Sequence, residues 1–174
     1  MSKLGSSQLA ESKIATSFVL IDHLGVNVTD LARSETWYQE VLGFQILHRW
    51  KTTTLVGLGS AKIGLFCRPD SQPIDNLDAV CCMHHLAFLV DGNTLMQTRQ
   101  QLIDKGIITY DEDNGIGYCV FFLDPDGHLL ELITYHPDPS EDPSSIFGTP
   151  PRSPEYIFQA LRDATKQRPA GDIT

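Results

Sequence analysis

The stretch "AVCCMHHLAFLVDG", residues 79–92, sets two imidazoles side by side at the mouth of an apolar run. A second histidine-headed run, "DHLGVNVTDL", starts at Asp22, and a third apolar run, "HLLELIT", carries a single carboxylate, Glu131. Imidazole nitrogens and carboxylates are the donors of divalent-metal sites. A carboxylate alone in an apolar strand is costly unless it is paired or bound to a cation. The candidate basic partners Arg49, Lys51 and Lys105 lie far from Glu131 in sequence.

Neighbouring residues of a strand point to opposite faces, so His84 and His85 cannot both face one pocket. Laying residues 22–31 on residues 84–93 puts His85, not His84, opposite His23, at an offset of 62 residues. Leu24, Val26 and Val28 then match Leu86, Phe88 and Val90 as apolar faces suited to burial. The opposite faces each open with a histidine and a small residue: His23 and Gly25, His85 and Ala87. His23 and His85 are therefore expected to face a shared concavity, with Glu131 as the third ligand. His84 is expected on the helix side as a structural residue, so that His84→Ala leaves bound metal nearly intact. His128, three residues before Glu131, is expected on the other face from it.

Each histidine-headed strand is followed by a helix-like segment, "ARSETWYQEVLGF" or "NTLMQTRQQLIDKGI". Gly43 and Gly106 stand as C-cap glycines at nearly equal distances from their histidines. Three strand-like runs follow in each half. The expectation is an α+β fold: two βαβββ modules, about 17–68 and 79–135, forming a curved mixed, mostly antiparallel eight-stranded sheet with helices on its outer face. One domain then covers 17–135. Residues 1–16 form a polar, flexible N-terminal tail. Residues 136–174 form a Pro-rich extension holding seven of the chain's ten prolines. It contains one helix over about 153–165, with Ser153 as N-cap, Pro154 at the first helical position, and a stripe of Ile157, Leu161 and Ala164.

Composition excludes several classes. The net charge is −9, with no basic face for nucleic acid. No apolar run approaches the length of a membrane span. The N-terminus lacks the apolar core of a secretory signal, so a cytoplasmic location is the expectation. Cys67, Cys81, Cys82 and Cys119 form no CxxC pair and read as small core residues in a reducing compartment.

Taken together, the paired modules, "HLGVNVTDLARSETWYQEVLGF", "HHLAFLVD" and "DPDGHLLEL" resemble the vicinal oxygen chelate superfamily. That group includes glyoxalase I, extradiol dioxygenases, fosfomycin-resistance thiol transferases, methylmalonyl-CoA epimerase and bleomycin-binding proteins. The resemblance implies one divalent ion on His23, His85 and Glu131, with Fe(II) favoured and Mn, Ni or Zn as alternatives. Glyoxalase I and the epimerase add a fourth ligand at a position that is apolar here. The fosfomycin enzymes carry basic groups where this chain reads "TYDEDNGIGY" and "ITYHPDPSED". An extradiol dioxygenase-like enzyme is the leading expectation, although Phe121 stands where those enzymes keep a tyrosine. The alternatives are a glyoxalase-type lyase or isomerase, a thiol transferase, and a non-catalytic drug-binding protein. Tyr118, Tyr110 and His48 are the acid–base candidates. The expected partners are a small-molecule substrate and a second copy of the chain, with the tail helix at or beside the dimer interface.

Overall fold

The computed structural model describes residues 21–72, 82–136 and 154–166; the expected N-terminal tail and Cys81 lie outside them. The first module runs β1 (Leu24–Val28), α1 (Leu31–Leu42), β2 (Gln45–Arg49), β3 (Thr53–Leu58) and β4 (Ala61–Cys67). The second repeats the order as β5 (Leu86–Leu89), α2 (Gly92–Asp104), β6 (Tyr110–Asp113), β7 (Gly117–Leu123) and β8 (Leu129–Tyr135). The C-terminal extension contributes α3 (Pro154–Lys166). Local chemistry sets the helix ends. The Asp30 and Asp91 carboxylates accept from the backbone N–H groups of Arg33 and Thr94, three residues on. Gly43 and Gly106 adopt φ of 73° and 71°, the left-handed exit open to glycine.

Each module forms its own four-stranded mixed sheet, ordered β1-β4-β3-β2 and β5-β8-β7-β6. Among the described residues β1 and β5 do not pair, so the expected eight-stranded sheet is divided at its centre. The reason lies at the β7–β8 turn, "DPDG", which occupies the end of the β1 edge. His128 Nε2 lies 2.8 Å from the Asn27 carbonyl oxygen, and Asp126 accepts from the Thr29 N–H at 3.0 Å. The modules instead share a core on their helix sides. Trp37, Leu42, Leu86 and Phe88 pack against the buried clusters of both modules. The Trp37 ring lies 6.4 Å from that of Phe122, and Phe44 lies 5.9 Å from Phe88.

Asp126 ties the modules together. It also accepts from the Thr29 hydroxyl, Arg33 and Ser34, at 2.6, 2.6 and 3.1 Å, with only 6% of its side chain exposed. Burial pushes its carboxyl up, but the hydrogen bonds from Thr29 and Arg33 outweigh burial and hold it below its ordinary value. Asp126→Ala is expected to cost about 3 kcal/mol by urea unfolding, because it strands these donors. Since the folded value is depressed, this stabilisation is present above the unfolded value near about pH 4 and fades as pH falls below it.

Candidate metal centre

β5 pairs in parallel with β8, with Ala87 opposite Glu131. β7 pairs with β8 from the other side, with Phe121 opposite Glu131. Glu131 is 4% exposed, yet among the described residues no arginine or lysine is ion-paired with it. Its carboxylate lies 3.0 Å from His85 Nε2 and is also hydrogen-bonded by the Cys119 thiol. Burial first, then this bond, pushes the Cys119 thiol far above its ordinary value, so Cys119 is a neutral donor here, not a nucleophile. The His85 ring stands edge-on to Phe121 with centroids 6.0 Å apart. One imidazole and one buried carboxylate thus converge on a face that also carries a second buried carboxylate, Glu112, opposite Cys119.

His23 does not join them. It is exposed, bonded through Nδ1 to Asp22 at 2.9 Å, and Asp22 in turn is bridged by Lys62 at 2.5 Å. Hydrogen bonds from Lys62, then from His23, hold the Asp22 carboxyl below its ordinary value. Among the described residues no group of three His, Cys, Asp or Glu side chains is placed to hold one ion. The topology explains the separation. β1 meets the second module at Asn27 and Thr29, beside the turn that leads into β8. His23 lies just ahead of β1, four residues back from Asn27 and on the order of 13 Å from it at strand rise.

The first module's inner face also differs from the expected open space in front of Gly25. The Phe66 ring covers it, and a Cβ at Gly25 would come within 2.9 Å of that ring. His48 lies on β2 of this module, exposed, with its ring 4.4 Å from Trp50. Tyr118 is turned to the sheet face opposite Glu131, where its ring packs on His136 at 4.3 Å. Tyr110 shares the Glu131 face, opposite Phe121. Of the three acid–base candidates, only Tyr110 therefore stands on the same face and sheet as the His85–Glu131 pair.

Three features were not expected from sequence. His84 is not set apart from His85. Their Nδ1 atoms are 2.9 Å apart, and both line one cavity with Met83, His128, Leu129 and Phe158. β5 begins only at Leu86, so strand alternation does not govern the two histidines before it. Next, α3 lies on the Glu131 face. Ile157, Phe158 and Leu161 are buried against Cys119, Phe121, Leu129 and Ile133. Third, α3 brings a cation to this side, with Arg162 5.5 Å over the Phe158 ring. The cysteine expectation holds for buried Cys119, whereas Cys82 is exposed.

The sequence model of the Glyoxalase/Bleomycin resistance protein/Dioxygenase superfamily matches residues 20–132, both modules together. This chain belongs to that superfamily. It is 30% identical over 112 residues to the glutathione transferase FosA of Serratia marcescens, covering 64% of this chain and 78% of that one. It is 26% identical over 117 residues to the metallothiol transferase FosB of Lysinibacillus sphaericus, covering 66% and 81%. Among solved structures, a glyoxalase family protein from Enterococcus faecalis superposes with a TM-score of 0.60 at 26% identity, covering 67% of this chain and 98% of that one. These relatives support the thiol-transferase alternative better than the dioxygenase expectation. Among the described residues no helix is long and apolar enough to cross a membrane.

Proposed function

We propose that this chain is a metal-dependent thiol transferase acting on a small electrophile that carries adjacent oxygens. The observation that carries the metal part is the pairing of half-buried His85 with buried Glu131 on the inner face of the second module. Its nitrogen and oxygen donors suit a borderline divalent ion such as Mn(II), Fe(II), Ni(II) or Zn(II). His85 and Glu131 would hold the ion, and we assign the third position to His23 of a second copy, because His23 of the same chain stands elsewhere. The protein is then a homodimer whose centres are incomplete in one chain. Kinship to a glutathione transferase and to metallothiol transferases carries the transfer part.

When bound, the ion supplies a Lewis acid that polarises the substrate oxygens. The chain's own residues do the rest. Phe121, Leu129 and Phe158 wall the site and keep it dry, which strengthens every polar contact within it. Cys119 donates to Glu131 and fixes its orientation. Arg162, on α3, brings to this side a positive charge that the strands of the second module lack. In the transfer itself the thiolate sulfur bonds to an electrophilic carbon, the opposing carbon–oxygen bond breaks, and the released oxygen takes up a proton.

The test is glutathione consumption by the Mn(II)-loaded protein with a panel of epoxides, including fosfomycin, followed by thiol titration and mass spectrometry of adducts. Metal-dependent adduct formation supports the reading. Oxygen uptake with catechols on the Fe(II)-loaded protein, with no adduct from any epoxide, replaces it with the dioxygenase.

A further inference from the structure

The turn between β6 and β7 holds chemistry that the proposed transfer does not use. It carries Asn114 followed by Gly115, both exposed, and glycine leaves its backbone nitrogen unhindered by a side chain. Asparagine–glycine suits tight hairpin turns. Here Gly115 has φ of 85°, and Asn114 N–H donates to the Gly117 carbonyl at 3.1 Å. Gly115 N–H donates to Asp113 Oδ1 at 2.9 Å. The Asn114 side-chain oxygen accepts from two backbone N–H groups, Ile116 at 3.1 Å and Gly117 at 2.9 Å. Asp113 is 2% exposed, and its Oδ1 also lies 3.1 Å from His136 Nε2. Its Oδ2 is buried with no hydrogen-bond partner. A carboxylate short of donors keeps capacity to take up a proton.

From this arrangement we infer that Asn114 is a site of self-catalysed deamidation, with Asp113 as the base and the Ile116 and Gly117 N–H groups as an oxyanion hole. The Gly115 nitrogen attacks the side-chain carbonyl carbon of Asn114 and gives its proton to Asp113. The new carbon–nitrogen bond closes a cyclic imide between adjacent residues, so no encounter is needed. Negative charge develops on the side-chain oxygen, to which both backbone N–H groups already donate. Collapse breaks the bond from that carbon to Nδ2, which takes the proton from Asp113 and leaves as ammonia. Water then opens the imide at either carbonyl, leaving aspartate or isoaspartate at position 114. Isoaspartate lengthens the main chain inside the turn. It disturbs the Asn114–Gly117 closure and, beside it, the Asp113–His136 contact that ties the end of β8 to this hairpin.

Full-length protein is aged near neutral pH in water enriched in 18O, and each asparagine is followed by peptide mass spectrometry. Asn114 is expected to take up the label, while Asn27, Asn76 and Asn93, none of which precedes glycine, stay amides. An isoaspartate methyltransferase with labelled S-adenosylmethionine counts the isoaspartyl product independently. Asp113→Asn is expected to slow conversion in the folded protein about 100-fold, the low end of what positioned bases contribute. The folded turn also restricts the approach of the reacting groups, so the net gain over the unfolded chain is smaller. Wild-type protein is expected to convert about 10-fold faster folded than in denaturant, where wild type and variant converge. A folded wild-type rate equal to or below the unfolded rate overturns the inference. So does a folded Asp113→Asn rate within about twofold of wild type. Should Asp113→Asn fail to fold, the folded-to-unfolded ratio of the wild type decides the matter.

Discussion

Glu131→Gln is expected to lower Mn(II) affinity by on the order of 100-fold or more, since outer partners of metal ligands already carry about 10- to 100-fold and Glu131 is assigned as a ligand itself. The same variant separates two roles for a buried carboxylate. Were Glu131 only half of a structural ion pair with His85, removing its charge would strand the partner and cost about 3–5 kcal/mol. As a metal ligand in an otherwise apolar stretch of β8, it is instead a cost that the metal-free fold bears, because the residue is 4% exposed. Glutamine keeps an oxygen for the Cys119 thiol and removes the charge. The metal-free variant is therefore expected to unfold in urea at the wild-type midpoint or above it. Titration of Mn(II) by electron paramagnetic resonance gives the affinity, and urea unfolding monitored by circular dichroism gives the stability. Wild-type affinity together with a lower unfolding midpoint would make Glu131 structural and remove it from the site.

Glu131 was legible because its signal is local: one charge inside a run of seven residues whose alternation is otherwise apolar. The same is true of the module repeat, whose periodic faces and C-cap glycines recur at nearly the same offset and emerge as β1–α1 and β5–α2. What sequence could not supply depends on contacts between distant segments or on departures from strand geometry. His84 was assigned by alternation, but the strand starts two residues later, so its ring is free to turn onto His85. Gly25 of the first module promised space, yet the Phe66 ring from a neighbouring strand fills it. Cys119 looked like an ordinary small core residue until the register set it beside Glu131. The amphipathic stripe of α3 showed that the helix must dock, but not on what. Ile157 and Leu161 are spent on the chain's own second sheet, so they do not require the subunit interface first expected for them.

A dimer is therefore called for by the ligands and not by the tail helix, and mixing two variants has a large expected effect. If each centre joins His85 and Glu131 of one copy to His23 of another, His23→Ala and Glu131→Gln both abolish tight Mn(II) binding when made alone. Mixed dimers behave differently. In a symmetric pair carrying one variant per copy, one centre suffers both losses and the other suffers neither. Co-refolding the two variants in equal amounts should thus restore tight binding to about a quarter of the wild-type site number, since half the dimers are mixed and each has one intact centre of two. Isolating the mixed species through two different affinity tags should raise this to one site per dimer, and light scattering of the same sample should give twice the chain mass. No recovery on mixing, with tight binding retained by His23→Ala alone, would mean that His23 is not a ligand. No recovery with both variants inactive would place the whole centre within one chain and require β1 to shift along the β7–β8 turn that now holds Asn27 and Thr29.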